Sequence, residues 1–238
     1  MLSLLVLLTS HAAQAKIYLV SVGISDYPGV INDLNLPERD AKTITALYKV
    51  NSQITFCQLF NHEATVKKIK AAMKIFENAS PDDTLVFYYS GHGYPGGLAV
   101  YDGMMPYSEI RSAMSKSKSK KKMIFADACF VGGLGTTTPQ EYQSEMDAAK
   151  KANVMLFLAS RDDEVSYERY DMQNGYFTHY LQQGLRGAAD TNKDRIISAQ
   201  ELFVYVHKNV IKLSDNHQHP IMWGNFSDKM PIMQWSNE

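Results

Sequence analysis

Thr84-Leu85-Val86-Phe87-Tyr88-Tyr89-Ser90-Gly91-His92-Gly93 ends a β-prone run on a histidine between two glycines. Met123-Ile124-Phe125-Ala126-Asp127-Ala128-Cys129 ends a second run on a thiol. Both runs are continuously apolar, as strands covered on both faces of a parallel sheet are. Neighbouring parallel strands carry His92 and Cys129 to one carboxyl edge, where α/β folds place their sites. Gly91 and Gly93 free the backbone for a sharp turn that leaves the imidazole at the strand tip. A thiol and an imidazole brought together there are the parts of a cysteine hydrolase.

Further apolar β-rich runs occupy 17–24, 54–60 and 154–159, beside 84–89 and 122–128. Helical periodicity fills the gaps at 38–50, 64–78, 107–115, 139–151, 174–186 and 199–213. Such alternation predicts βαβ crossovers and a mostly parallel sheet with helices on both faces. A sixth strand comes from either Pro220-Ile221-Met222-Trp223 or Met230-Pro231-Ile232-Met233. No internal repeat or long linker divides the chain. The loosest stretch, Gly132-Gly133-Leu134-Gly135-Thr136-Thr137-Thr138-Pro139, follows Cys129 and reads as a mobile loop.

The 238 residues, 45% hydrophobic and 21% charged, suit an ordinary globular core. A net charge of −1 gives no reason to expect nucleic acid or a membrane surface as partner. The lysine-rich tract Lys116 to Lys122 reads as a solvated loop entering a strand. At the start, Leu2 to Leu8 is a short apolar run and Ala13-Gln14-Ala15 a small-residue cleavage signal. Residues 1–15 are therefore expected to be a signal peptide, too short to span a bilayer, and 16–238 the exported domain, periplasmic or secreted. No later segment is long and apolar enough to cross a membrane. A Cys57–Cys129 bridge would silence the nucleophile, so Cys57 is expected to be a small buried core residue instead.

Ser90-Gly91-His92-Gly93 followed one strand later by Asp127-Ala128-Cys129 resembles the caspase-like cysteine peptidases, especially the metacaspase and bacterial branch. Val20 to Tyr27, Glu38-Arg39-Asp40-Ala41, Ala159-Ser160 to Glu168, and Asn174-Gly175-Tyr176-Phe177-Thr178 support it. The resemblance implies a three-layer α/β/α fold with a six-stranded, mostly parallel sheet. It makes Cys129 the nucleophile and His92 the base or acid, with the backbones of Gly93 and Cys129 as oxyanion donors. It places Asp40, Ser90, Asp127 and Glu168 around the substrate. Phe130-Val131-Gly132 departs from the usual His-Ser-Gly after the cysteine, which changes a flanking contact and leaves the dyad intact.

Carboxylates there would accept bidentate hydrogen bonds from Arg or pair with Lys, and would repel an acidic side chain. The expected activity is thus a cysteine endopeptidase cutting peptides or proteins after Arg or Lys, working as a monomer or weak dimer. Lys150, Lys151 and the Lys116–Lys122 tract are then candidate self-processing sites. The alternatives are a non-catalytic scaffold of the same fold and a calcium-responsive binding protein.

The calcium idea comes from Asp190-Thr191-Asn192-Lys193-Asp194-Arg195-Ile196-Ile197-Ser198-Ala199-Gln200-Glu201, which has EF-hand spacing with Asp190, Asn192, Asp194, Ser198 and Glu201 as candidate ligands. Against it, Arg195 stands where the loop wants glycine, and Ser198 with Glu201 also reads as a capping box. No cofactor is expected to be required. Zinc is not expected, since His217 and His219 lack companions at ligand spacing.

Overall fold

A computed structural model describes residues 15–50, 53–94, 96–129, 139–161, 164–169 and 171–235. All but the last residue of the expected signal peptide, and most of the glycine-rich loop after Cys129, lie outside them. In chain order the elements are β1 (Ile17–Gly23), α1 (Pro37–Tyr48), β2 (Ile54–Phe60), α2 (Val66–Ala72), β3 (Thr84–Ser90), β4 (Gly93–Tyr94), β5 (Gly97–Val100), β6 (Gly103–Pro106), α3 (Tyr107–Ser115), β7 (Lys121–Asp127), α4 (Pro139–Ala152), β8 (Met155–Leu158), α5 (Tyr176–Gln183), β9 (Ile196–Ser198), α6 (Ala199–Leu213), β10 (Ile221–Trp223) and β11 (Pro231–Gln234).

The main sheet has six strands in the order β10-β8-β7-β3-β1-β2, parallel except for β10 against β8. Each strand splits its side chains between two cores. Tyr18, Val20, Val22, Leu85, Phe87, Tyr89, Ile124 and Ala126 join Ile69 of α2 and Ile110 and Met114 of α3 on one face. Ile17, Leu19, Val86, Tyr88, Met123 and Phe125 join Ile44 of α1, Leu181 of α5 and Leu202 and Val206 of α6 on the other. That two-residue alternation is the pleat itself, with both faces covered.

The sixth strand is Ile221–Trp223, whereas Pro231–Gln234 pairs with β9 in a separate ribbon that closes over the start of α6. The 64–78 helix is α2 followed by a 3-10 stretch, Met73–Asn78. A three-stranded sheet, β4-β5-β6, follows the His92 turn. Cys57 is half-buried rather than core, because β2 is the edge strand and only one side of it is paired. Both cysteines are free thiols. Lys150 and Lys151 lie in the last turn of α4, so cutting there requires the helix end to unwind. Among the described residues no helix is long and apolar enough to cross a membrane.

Candidate active site

Register delivers the two motifs to one place. Ser90 pairs with Asp127 across β3 and β7, and the Gly91 amide donates to the Asp127 carbonyl at 3.1 Å, extending the ladder past the strand end. His92 and Cys129 each stand two residues beyond that pair, and both line one small cleft of about 90 Å³. Glycine is needed beside the thiol: a Cβ on Gly93 would lie 2.1 Å from the Cys129 carbonyl oxygen, so the two backbones abut. At Gly91 (φ 153°) a Cβ would strike the Tyr27 and Tyr89 hydroxyls, each at 2.5 Å.

His92 is held from three sides. Its amide donates to the Tyr27 hydroxyl at 2.9 Å, and its carbonyl accepts from Tyr89 at 2.7 Å. The Tyr27 ring packs against the imidazole with centroids 4.9 Å apart. Burial raises the Tyr27 hydroxyl to about 12, so it stays neutral beneath the loop. The His92 Nε2 atom lies 2.8 Å from the Asn32 carbonyl oxygen. A carbonyl only accepts, so Nε2 carries the proton and Nδ1 is the basic nitrogen. Asn32 sits in a 3-10 turn between β1 and α1 (Val30–Asn32) that nothing in the sequence motif points to.

Cys129 accepts from the Ser166 amide at 3.1 Å and faces the Ser166 carbonyl at 3.8 Å. Burial is the main reason its thiol pKa rises, and the nearby Asp127 and Glu168 charges add to it, while the Ser166 amide works the other way. The thiol therefore holds its proton more firmly than a free cysteine does.

Beside the thiol the cleft is acidic. Asp40, in the first turns of α1, is 1% exposed and Asp127 is 6% exposed. Asp40 accepts from Ser90 Oγ (2.9 Å), Asn174 Nδ2 (2.8 Å) and the Gly175 amide (3.1 Å). Asp127 accepts from Ser166 Oγ (2.5 Å), Thr178 Oγ1 (2.7 Å) and the Thr178 amide (3.1 Å). The two carboxylates converge on Gly175, where a Cβ would meet an oxygen of Asp127 at 2.8 Å and one of Asp40 at 3.3 Å. Burial, and for Asp40 next the charge of Asp127, pushes both carboxyls above the ordinary range. Among the described residues, neither has a Lys or Arg partner.

Of the expected site residues, His92, Cys129, Asp40, Ser90, Asp127 and Glu168 all line this cleft. Glu168 also clamps the loop before α1, its oxygens accepting from the Asn35 and Leu36 amides at 3.0 Å each. Asn32 lies in none of the quoted motifs, while Ser166, Asn174 and Thr178 lie in segments that support the resemblance without a role being expected of them. Gln218, fully buried, holds the Ser166 segment in place: it accepts from the Tyr167 amide (3.0 Å) and donates to the Ala159 carbonyl (3.0 Å).

The 190–201 loop shares no residue with the lining of the cleft, and most of its candidate oxygens have other partners. Glu201 closes the capping box with Ser198 and accepts from Thr191, Asp194 accepts from Asn192 and the Ile196 amide, and Asp190 accepts from the Arg195 amide. Arg195, standing where the loop wants glycine, nevertheless adopts a positive φ (66°), and Asp190 Oδ1 is buried with no hydrogen-bond partner. Among the described residues no group of three or more His, Cys, Asp and Glu side chains is arranged to hold a metal ion.

A family model for the caspase domain matches residues 18–231. No sequence among the curated proteins matches the chain. Among solved structures, it is similar to caspase-1 of Spodoptera frugiperda, with 13% identity, a TM-score of 0.65, and 92% of this chain and 89% of that one covered. It is also similar to a structural-genomics protein of Geobacter sulfurreducens, with 18% identity, a TM-score of 0.64, and 87% and 92% covered. Likeness at that identity speaks to the fold.

Proposed function

The chain belongs to the caspase-domain family, and from that premise we propose that it is a cysteine endopeptidase that cuts after Arg or Lys. The observation that carries the specificity is the pair of buried carboxylates, Asp40 and Asp127, lining the thiol's own cleft without a described cationic partner. A buried charge without a counter-charge is costly, and burial accordingly pushes both carboxyls toward their protonated forms. A guanidinium or ammonium entering from the substrate supplies the missing charge, and a planar guanidinium matches carboxylate oxygens two at a time. An aspartate side chain in the same place would meet like charge.

In the proposed reaction Cys129 Sγ attacks the scissile carbonyl carbon as His92 Nδ1 takes the thiol proton. The Gly93 and Cys129 amides, whose backbones abut, donate to the developing oxyanion. The intermediate collapses by breaking the C–N bond, and the imidazolium returns its proton to the departing amine. Water, deprotonated by His92, then attacks the thioester and the thiolate leaves. The substrate assists the first step. Its cation offsets the Asp127 and Glu168 charges that help hold the thiol pKa up, so proton transfer to His92 becomes easier once the cleft is filled.

Purified protein assayed on fluorogenic peptides ending in Arg, Lys or Asp tests the reading. Turnover of the Arg and Lys peptides at least ~100-fold faster than of the Asp peptide is expected, from the difference between pairing and repulsion in a buried site. Equal or faster turnover of the Asp peptide would remove the pocket argument. No turnover of any peptide would favour the non-catalytic scaffold.

A further inference from the structure

A second cavity, about 390 Å³, shares His92 with the acidic cleft and none of that cleft's other lining residues. Resting on the peptidase reading above, we propose that this cavity receives an uncharged, aromatic or bulky apolar side chain from the residue that follows the scissile bond.

Among the described residues, His92 is the single one lining both cavities. The acyl side of the bond is committed to the cleft with Asp40, Asp127 and Cys129. The imidazole must protonate the departing amine, so the departing residue runs past His92, away from that cleft. The second cavity begins there, bounded by His92 and by Gly93, one of the two proposed oxyanion donors.

It lacks the carboxylates of the first cleft. Tyr27, Tyr94 and Tyr101 supply its rings, and among the described lining residues none but His92 is ionisable to a charge near neutral pH. Tyr27 spends its hydroxyl on the His92 amide and on Tyr89, presenting an aromatic wall. Tyr94 is 41% exposed and open to a partner ring. Asp102, the nearest acid in sequence to Tyr101, accepts instead from the Val66 amide at 2.8 Å. The turn whose Asn32 carbonyl holds His92 also carries Val30 and Ile31, 88% and 93% exposed. The cavity has about four times the volume of the acidic cleft, which leaves room for a bulky side chain. A charged side chain there would be desolvated without a partner.

The test uses internally quenched peptides with Arg before the bond and Phe, Leu, Gly, Asp or Lys after it. The kcat/KM for Phe or Leu is expected to exceed that for Asp and Lys by ~10-fold or more, the scale of discrimination by an apolar pocket. Tyr94→Ala with Tyr101→Ala is expected to shrink that ratio to below ~3-fold while the preference for Arg over Asp before the bond persists. A second measurement needs no variant: trapping of the acyl-enzyme by phenylalanine amide should exceed trapping by glycine amide. A flat series, a charged residue favoured after the bond, or a preference that survives both substitutions with equal trapping would overturn the inference. Absence of turnover on every peptide would instead overturn the peptidase reading beneath it.

Discussion

Replacing Cys129 with alanine is expected to abolish turnover of the Arg and Lys peptides, a loss of ~10³-fold or more in kcat/KM, with little change in stability. The thiol is the only atom in the cleft proposed to form a covalent bond, so nothing else replaces it. Its removal costs the fold two weak sulfur contacts, with the Ser166 amide and carbonyl. His92→Ala should fall nearly as far, and the double variant little further, because the two side chains act as one unit. Activity surviving in the Cys129→Ala protein would assign the chemistry elsewhere.

Asp127→Asn is expected to separate specificity from stability. The kcat/KM for Arg peptides should drop by ~10²–10³-fold, the scale of removing one partner from a buried charge pair. Yet the protein should become more stable near neutral pH, by on the order of 1 kcal/mol. The sign follows from the raised carboxyl pKa, caused first by burial. A group whose folded pKa is raised favours the fold below its unfolded pKa, and that benefit is lost as pH rises through the folded value. Above it, the charged carboxylate is a burden that asparagine does not carry. The gain in Tm should therefore shrink toward zero as the solution is acidified. Asparagine can keep the geometry, its oxygen toward Thr178 and its amide toward Ser166 Oγ, which can turn to accept. The same variant should lower the pH at which iodoacetamide begins to alkylate Cys129, since Asp127 is one of the charges raising that thiol. Unchanged Arg cleavage would place the specificity pocket elsewhere.

Local signals carried much of the architecture. The apolar runs ending at His92 and Cys129 are short-range patterns, and parallel pairing of Ser90 with Asp127 does the rest. Asp40 and Asp127 came from resemblance, because a helix-first-turn acid and a strand-end acid look alike whether they face solvent or a cleft. What stayed hidden depends on contacts between distant segments. Asn174 reaches Asp40 across 134 residues, and Ser166 reaches Asp127 across 39. The Asn32 carbonyl that orients His92 is backbone, and no residue type announces it.

Other differences have equally specific causes. Strands β4 to β6 are two to four residues long and rich in glycine, so their sequence reads as turns. An i, i+3 apolar pattern fits a 3-10 helix as well as an α-helix, which is why the break after Ala72 was invisible. Ile221–Trp223 and Pro231–Gln234 are similarly apolar; partner choice alone decides which joins the main sheet. In the 190–201 loop the capping box that starts α6 occupies Glu201.

The most direct test is covalent labelling with a peptidyl acyloxymethyl ketone bearing Arg next to the warhead, read by intact mass and peptide mapping. One equivalent on Cys129, blocked by excess Arg peptide and absent for the matching Asp reagent, is the expected result. Labelling at another residue, no labelling, or faster reaction with the Asp reagent would contradict the assignment of Cys129 and its acidic cleft.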